Sequence, residues 1–290
     1  MSSLPRFGAV VLTQGRRPED LRRGLASLQH QRDVELDVVV VGNGWAPVDL
    51  PPGVRALELP ENVGIPAGRN AGVPEVSGEL LFFLDDDAWL PDPGMLAEVG
   101  RRFAADPGLG LVQPRVLDPA GASSPTRWIP RLRKGDPGRS SDAFSVWEGA
   151  VATRRDVFES AGGWPAEFFY AHEGIELAWR VWDAGAAVRY CGDLVVHHPA
   201  IDPRRHADYY RLNARNRVWL ARRNLPVVLE PAYVGSWTAV QLARSWRDRE
   251  ALRAWFGGFA EGWRRDPGPR RPISWRTVAT LTRRGRPPVI

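Results

Sequence analysis

Among its 290 residues the chain has one cysteine, Cys191, and one lysine, Lys134. A lone cysteine excludes an internal disulfide framework and any zinc site built from paired cysteines, and it suits a reducing compartment. No uninterrupted apolar run approaches the roughly 20 residues that span a bilayer, and no charged-then-apolar leader opens the chain. A cytoplasmic location is the resulting expectation. Internal repeats are missing, as are a GxGxxG dinucleotide fingerprint and a GxxxxGK[ST] phosphate loop. These absences disfavour nicotinamide chemistry and ATP hydrolysis. His172-Glu173 opens like HExxH, but the second histidine never comes, so a zincin site is rejected.

What is present is ordinary in bulk and unusual in detail. Apolar residues make up 43% and charged residues 25%, as in a globular domain. The net charge of +5 is carried almost wholly by arginine, whose fixed fork of donors suits phosphate oxygens. Nucleic acid, anionic lipid and nucleotide-sugar phosphates all fit that balance, and a coding bias toward arginine explains it equally well. Thirteen tryptophans, many in the final third, suit carbohydrate stacking, a membrane interface or core packing.

Phe7 to Leu12, Leu36 to Val41, Val54 to Leu59, Leu80 to Leu84 and Leu109 to Val116 read as short buried strands separated by helical patterns. Strands apolar on both faces and alternating with helices predict an α/β fold with a mostly parallel sheet flanked by helices. Pro91 to Phe103 reads as a helix opened by proline, and Trp147 to Ala152 as a strand followed by a helix from Arg155 to Ser160. Residues 118–143, rich in Pro, Gly, Ser and Arg, read as a long mobile loop. Tyr190 to Val196 is a late strand. Tyr209 to Asn224 is a basic, aromatic helix, residues 227–263 hold two amphipathic helices, and the stretch from Asp266 reads as loose. The expected division is residues 1–224 as the main domain and 225–290 as an Arg/Trp-rich helical extension.

The chemistry concentrates at strand ends. In such sheets ligands bind beyond the carboxyl ends of the strands. Thr13 to Arg17, Gly42-Asn43-Gly44 and Asp85-Asp86-Asp87 all fall there. Three adjacent carboxylates repel one another and call for a cation, and a divalent metal with oxygen ligands answers that need. An acidic turn capping the next helix is the plain alternative. Downstream, Glu173 follows an aromatic run that would place it in a partly desolvated cleft. Glu176 lies three residues on, with Arg180 four beyond it, a spacing that reads as an ion pair on a solvated helix. His197 and His198 end the late strand, and one of them is a candidate metal ligand.

In this order the motifs resemble inverting family-2 glycosyltransferases of the GT-A fold, from Val10 to about Asn224. The features that carry the resemblance are Val10 to Arg17, Val38 to Asn43, Asn62-Val63-Gly64, Gly68-Arg69-Asn70, Leu84 to Asp87, Gly162-Gly163-Trp164, His172-Glu173 with Trp179-Arg180, the His197 region, and Arg215-Asn216. Within the family it most resembles bacterial, rhamnosyltransferase-like members that build cell-surface polysaccharides.

The resemblance implies an enzyme that moves a sugar from a UDP-, GDP- or dTDP-linked donor to a hydroxyl of a glycan or lipid-linked acceptor. Mg2+ or Mn2+ would be held by Asp85, Asp87 and one of His197 and His198. Thr13, Arg16, Asn43, Asn62, Gly64, Arg69, Asn70, Asp85 and Asp86 would line the donor pocket. Trp147, Glu148, Gly149 and Trp164 would lie on the acceptor side, with Glu173 as general base and Glu176 as a weaker substitute. An anionic membrane surface is a further candidate partner, and no nucleic acid is expected. Two departures from the family pattern stand out: Gly42 where an aspartate often reads the nucleotide base, and Gly174 where the acidic motif commonly has its second carboxylate. The alternatives are a sugar-phosphate nucleotidyltransferase, for which Gly15-Arg16-Arg17 is a poor phosphate loop, and a catalytically idle surface protein.

Overall fold

A computed structural model describes residues 3–121, 123–130, 136–200 and 208–289. The chain runs β1 (Arg6–Thr13), α1 (Pro18–Gln29), β2 (Glu35–Asn43), β3 (Val54–Leu59), α2 (Ile65–Gly72), β4 (Leu80–Asp85), α3 (Met95–Ala105), β5 (Leu109–Leu117), β6 (Ser141–Asp142), β7 (Ala150–Arg154), α4 (Arg155–Ala161), α5 (Glu173–Asp183), β8 (Ala187–His197), α6 (Tyr209–Asn224), α7 (Glu230–Ser245), α8 (Arg249–Arg264) and α9 (Trp275–Arg283). The eight strands form one sheet in the order β3-β2-β1-β4-β7-β5-β8-β6.

Period-two alternation explains why the inner strands are apolar throughout. Phe7, Ala9 and Val11 of β1 face one side with Leu21, Leu25 and Leu28 of α1 and Leu96, Val99 and Phe103 of α3. Val10 and Leu12 face the other side, against Val73, Phe158, Trp164, Leu177 and Val181. β2 and β4 divide in the same way, so helices cover both faces of the sheet. The edge strand β3 is the exception and leaves half its residues exposed.

β1, β2, β3 and β4 are mutually parallel, with Leu12 opposite Asp85 and Thr13 opposite Gly42. Their carboxyl ends therefore form one rim. β7 enters antiparallel between β4 and β5, pairing Leu84 with Ala150, and so delivers residues 147–149 to that rim. β8 runs parallel to β5 and brings His197 and His198 to the same edge.

Several expectations are corrected. The helix after the acidic triplet starts at Met95, because Pro91 to Gly94 form a turn, and β7 starts at Ala150 instead of Trp147. Within the stretch read as a structureless loop, Thr126–Trp128 form a 3-10 turn whose Trp128 is wholly buried, and Ser141–Asp142 pair with β8. Residues 122 and 131–135 of that stretch lie outside the described residues.

The segment after Asp266 is anchored. Arg271 and Ile273 donate backbone hydrogen bonds to Arg223 and Asn224, Ile273 and Leu281 are buried, and the Thr277 hydroxyl donates to Asp183 of α5 at 2.6 Å. A third apolar cluster unites Phe168, Trp179 of α5, Val218 and Trp219 of α6, Tyr233 of α7, Ile273 just ahead of α9, and Leu281 within α9. The basic helix α6 is also more enclosed than its composition suggests, since Arg215, Asn216, Arg223 and Asn224 point inward. On α7, by contrast, Ala232, Gly235, Ala239, Leu242 and Ala243 make an exposed apolar stripe that runs toward exposed Trp246. No helix among the described residues is long and apolar enough to cross a membrane.

Candidate active site

The acidic triplet divides three ways, because each aspartate meets a different element. Asp85, the last residue of β4, accepts a 2.6 Å hydrogen bond from Nη2 of Arg69, a buried side chain of α2. The guanidinium of Arg69 lies 5.3 Å from the Trp164 ring, and its Nε and Nη1 have no protein acceptor. Asp86 turns toward β1, where the Thr13 hydroxyl donates at 2.6 Å and Arg17 at 3.1 Å. Burial pushes the Asp86 carboxyl up to about 6, with Thr13 and Arg17 opposing and the charges of Asp87 and Asp85 adding. Asp87 accepts from Arg17 at 2.6 Å and pairs with His198 Nε2 at 3.0 Å. Burial works to raise its carboxyl too, but His198 and Arg17 outweigh it and hold the group below its ordinary value.

Asp85, Asp87 and His198 each bring one ligand atom within 4.8 Å of the others. Two carboxylates and one imidazole at the end of a rigid strand fit a divalent cation such as Mg2+ or Mn2+. The His198 ring is fixed between Trp128 and Trp147, with ring centroids at 5.4 and 4.8 Å, and its Nδ1 has no partner. His197 is not part of this set. It packs edge-on against Trp89 at 5.4 Å, and its backbone bridges that residue, so the last residue of β8 and the one that follows it send their rings apart.

Around the triplet, the polar residues expected in the donor pocket mostly shape backbone. Asn43 binds Asn62 Oδ1, Gly64 O and the Val63 amide, and Asn62 Oδ1 in turn accepts from the Gly64 amide. Gly64 has φ +88°, and a Cβ there would lie 2.6 Å from the Cα of Phe169. Asn70 holds both backbone groups of Trp164 at 2.7 and 3.0 Å. Arg16 is exposed, and the adjacent Arg17 makes the carboxylate contacts instead. Trp164, expected to meet an acceptor, is only 1% exposed and packs on Phe83, so it supports Arg69 from below.

The second acidic group assembles at the start of α5. Glu173 is its first residue and is 2% exposed, and its Oε2 has no hydrogen-bond partner. Burial, then the neighbouring charge of Glu148, push its carboxyl up to about 8, while Arg69 pulls the other way. Glu148 is raised as well, first by burial, and its Oε1 accepts the Gly174 amide at 2.8 Å. A Cβ on Gly174 would sit 2.2 Å from Val146 O and 2.6 Å from that Oε1. The glycine that breaks the usual pair of acidic residues thus leaves room for a carboxylate from another element. Arg69 is the cation common to Asp85, Glu148 and Glu173. Trp147 and Gly149 complete this wall, since Gly149 O accepts the Asp85 amide at 2.9 Å.

Glu176 has a different setting. It is 0% exposed, and its oxygens are taken by Arg180 at 2.6 Å, Arg223 at 2.9 Å and Asn224 at 2.6 Å. The ion pair foreseen on a solvated helix is a buried network, in which Arg180, Arg223 and Asn224 occupy both carboxylate oxygens. Sequence reasoning missed Arg17, Trp128 and the pairing of Glu148 with Glu173. The one available signal was Trp147-Glu148-Gly149 just ahead of a strand.

The Glycosyl transferase family 2 model matches residues 9–161, just over half of the chain. The chain is similar to a pre-mycofactocin glycosyltransferase of Mycobacterium tuberculosis, 28% identical over 269 residues covering 88% of this chain and 51% of that protein. It is likewise 28% identical over 250 residues to the O-antigen biosynthesis protein RfbC of Myxococcus xanthus, covering 75% of this chain and 20% of that one. The chain therefore spans about half the length of one of these relatives and a fifth of the other. Its fold is similar to that of GalNAc-T7 solved with UDP, GalNAc and Mn2+, with a TM-score of 0.65, 15% identity, and coverage of 100% of this chain and 59% of that one. The architecture is the GT-A fold, and the chain belongs to glycosyltransferase family 2.

Proposed function

We propose that the chain is an inverting, metal-dependent transferase that moves a sugar from a nucleoside-diphosphate donor to an acceptor hydroxyl. The observation that carries this reading is the joining of two acidic groups through one buried arginine. Asp85 and Asp87 with His198 form the metal-competent set, and Glu173 stands apart from it with a free oxygen and a raised proton affinity. Mg2+ or Mn2+ held by Asp85, Asp87 and His198 would offset the negative charge that grows on the departing diphosphate. Thr13, Arg17, Arg69 and Asp86 line the diphosphate side. Asn43, Asn62, Gly64 and Asn70 hold the loops that bound it.

Inversion requires the acceptor oxygen to attack the anomeric carbon from the side opposite the leaving group. Glu173 takes the hydroxyl proton on its unpartnered oxygen as the new C–O bond forms. A carboxyl raised to about 8 is a stronger base, once ionised, than an ordinary glutamate, which brings its proton affinity toward the operating pH. Trp147, Glu148 and Gly149 form the acceptor-side wall.

We place the acceptor among glycans and lipid-linked glycans and the pathway in cell-surface glycoconjugate synthesis, supported by the O-antigen biosynthesis named for one of the two relatives. The enzyme works in the cytoplasm, with residues 225–290 resting on an anionic membrane surface. Twelve arginines against five acidic residues in that stretch, the outward stripe of α7, and exposed Trp246, Phe256, Trp263 and Trp275 support the membrane contact. Failure to sediment with phosphatidylglycerol vesicles at low salt removes this part of the reading.

The central test is thermal stabilisation by UDP, GDP and dTDP with Mn2+ or EDTA, followed by turnover with the matching nucleotide sugars. Metal-dependent stabilisation by one nucleotide is expected, and none by any of them refutes the donor class. Glu173→Gln should lower turnover by about 10²–10⁴-fold while keeping nucleotide binding.

A further inference from the structure

The backbone leading into Glu173 is held where side chains resist it. Phe169, Ala171 and His172 have φ of 62°, 71° and 72°, three of the five non-glycine residues with positive φ among those described. The other two are aspartates, which tolerate the left-handed region through local hydrogen bonds, a device alanine and phenylalanine lack. Such a conformation persists only where the surroundings over-determine it.

The surroundings here are chiefly one side chain. Asn216, wholly buried on α6, places Nδ2 at 3.0 Å from the Phe168 carbonyl, 2.6 Å from that of Tyr170 and 2.9 Å from that of Ala171. Its Oδ1 accepts from Arg215 Nε at 3.0 Å, which fixes the direction of the amide, and Arg215 Nη2 adds a 2.7 Å bond to Phe168 O. The strap touches the donor loop as well. Phe169 O accepts the Ile65 amide at 2.8 Å, and its Cα leaves no room for a Cβ on Gly64. One five-residue strap thus has the donor loop on one side and the start of α5 at its end.

We propose that Asn216 is a positioning residue for transfer, clamping strap 168–172 with residues 169, 171 and 172 at positive φ so that Glu173 and the loop at Gly64–Ile65 are set together. This rests on the reading of Glu173 as the base. A clamp that acts against strain differs from a residue that merely fills α6, because relieving the strain should compensate for loss of the clamp. Glycine adopts positive φ without a Cβ penalty.

The experiment compares wild type with Asn216→Ala, Ala171→Gly and the double variant. Amide hydrogen exchange is read at Ile65 and residues 169–173, and release of UDP or GDP from UDP-N-acetylglucosamine and GDP-mannose is read with Mn2+. Asn216→Ala should speed exchange in the strap and at Ile65 at least tenfold while β1 and β4 stay protected, and lower turnover at least tenfold. Ala171→Gly in that background should recover threefold or more of both. Unchanged strap exchange, or loss that Ala171→Gly does not recover, overturns the clamp. If Asn216→Ala fails to fold, Asn216→Ser, which keeps one donor, carries the same comparison. Glu173→Gln runs in parallel: turnover retained there overturns the base assignment, whereas turnover lost there but unaffected in Asn216→Ala overturns only the clamp.

Discussion

Replacing Glu173 by glutamine should make the ligand-free protein more stable at alkaline pH and no more stable at acid pH. The folded carboxyl holds its proton up to about 8, whereas the ordinary value is 4.5. Between those values the native state binds the extra proton, so wild-type stability falls as pH rises through the interval. Below 4.5 both states are protonated and the cost vanishes; above about 8 it is complete. The interval corresponds to about 5 kcal/mol at its alkaline end, since one pKa unit is about 1.4 kcal/mol. Glutamine keeps the shape without the charge and escapes that cost. At about 2 °C per kcal/mol for a chain of this length, the melting temperature should rise by up to about 10 °C at pH 8.5 and by little at pH 4.5. Scanning calorimetry of both proteins in EDTA from pH 4.5 to 9 reads this directly. A difference in melting temperature that is flat with pH refutes the raised carboxyl. The same variant should lose about 10²–10⁴-fold in turnover, the usual worth of a general base. A protein that gains stability as it loses activity would identify Glu173 as a group kept unfavourable for function.

The other expectations concern single contacts. Asp87→Asn should weaken Mn2+-dependent UDP binding about tenfold or more by calorimetric titration, and unchanged binding contradicts its place in the metal set. His198→Ala should lower Mn2+ affinity while His197→Ala leaves it alone; equal effects would contradict the opposed orientation of the two rings. Gly174→Ala should cost about 1–3 kcal/mol in urea unfolding, because its Cβ meets Val146 O at 2.2 Å, and a neutral result would mean that the loop yields. Glu176→Gln should cost about 3–5 kcal/mol by leaving Arg180 and Arg223 without their buried anion, and a change below 1 kcal/mol would contradict a structural role.

What could be read from the residues alone follows from the range of the interactions. β1, β2 and β4 were legible because an inner strand covered on both faces must be apolar at every position, a purely local constraint. Asp85 to Asp87 were legible because three carboxylates cannot be buried without cations. The choice between His197 and His198 was not, since it depends on which face each strand position takes, and a shift of one residue exchanges them. Trp147 to Gly149 reach the rim only because β7 runs antiparallel to β4, a pairing between residues some seventy positions apart. The exposure of Glu176 was misjudged because Arg223 and Asn224 arrive from a helix over forty residues away. The stretch after Asp266 looked loose because proline and arginine dominate it, while its anchoring rests on a few contacts such as Ile273, Thr277 and Leu281.

The packing of α9 on α5 bears on the order in which the molecule can be completed during synthesis. Residues 9–161, with the acidic triplet, have left the ribosome well before α9 exists. Asp183 finds its partners Ser274 and Thr277 more than ninety positions later. The helix that begins with Glu173 therefore gains its last ties only when the end of the described chain folds back on it. A nascent or C-terminally shortened chain should possess the nucleotide-facing half of its cleft before the proton-accepting half is firm. A fusion or deletion near residue 270 should register in turnover sooner than in nucleotide binding.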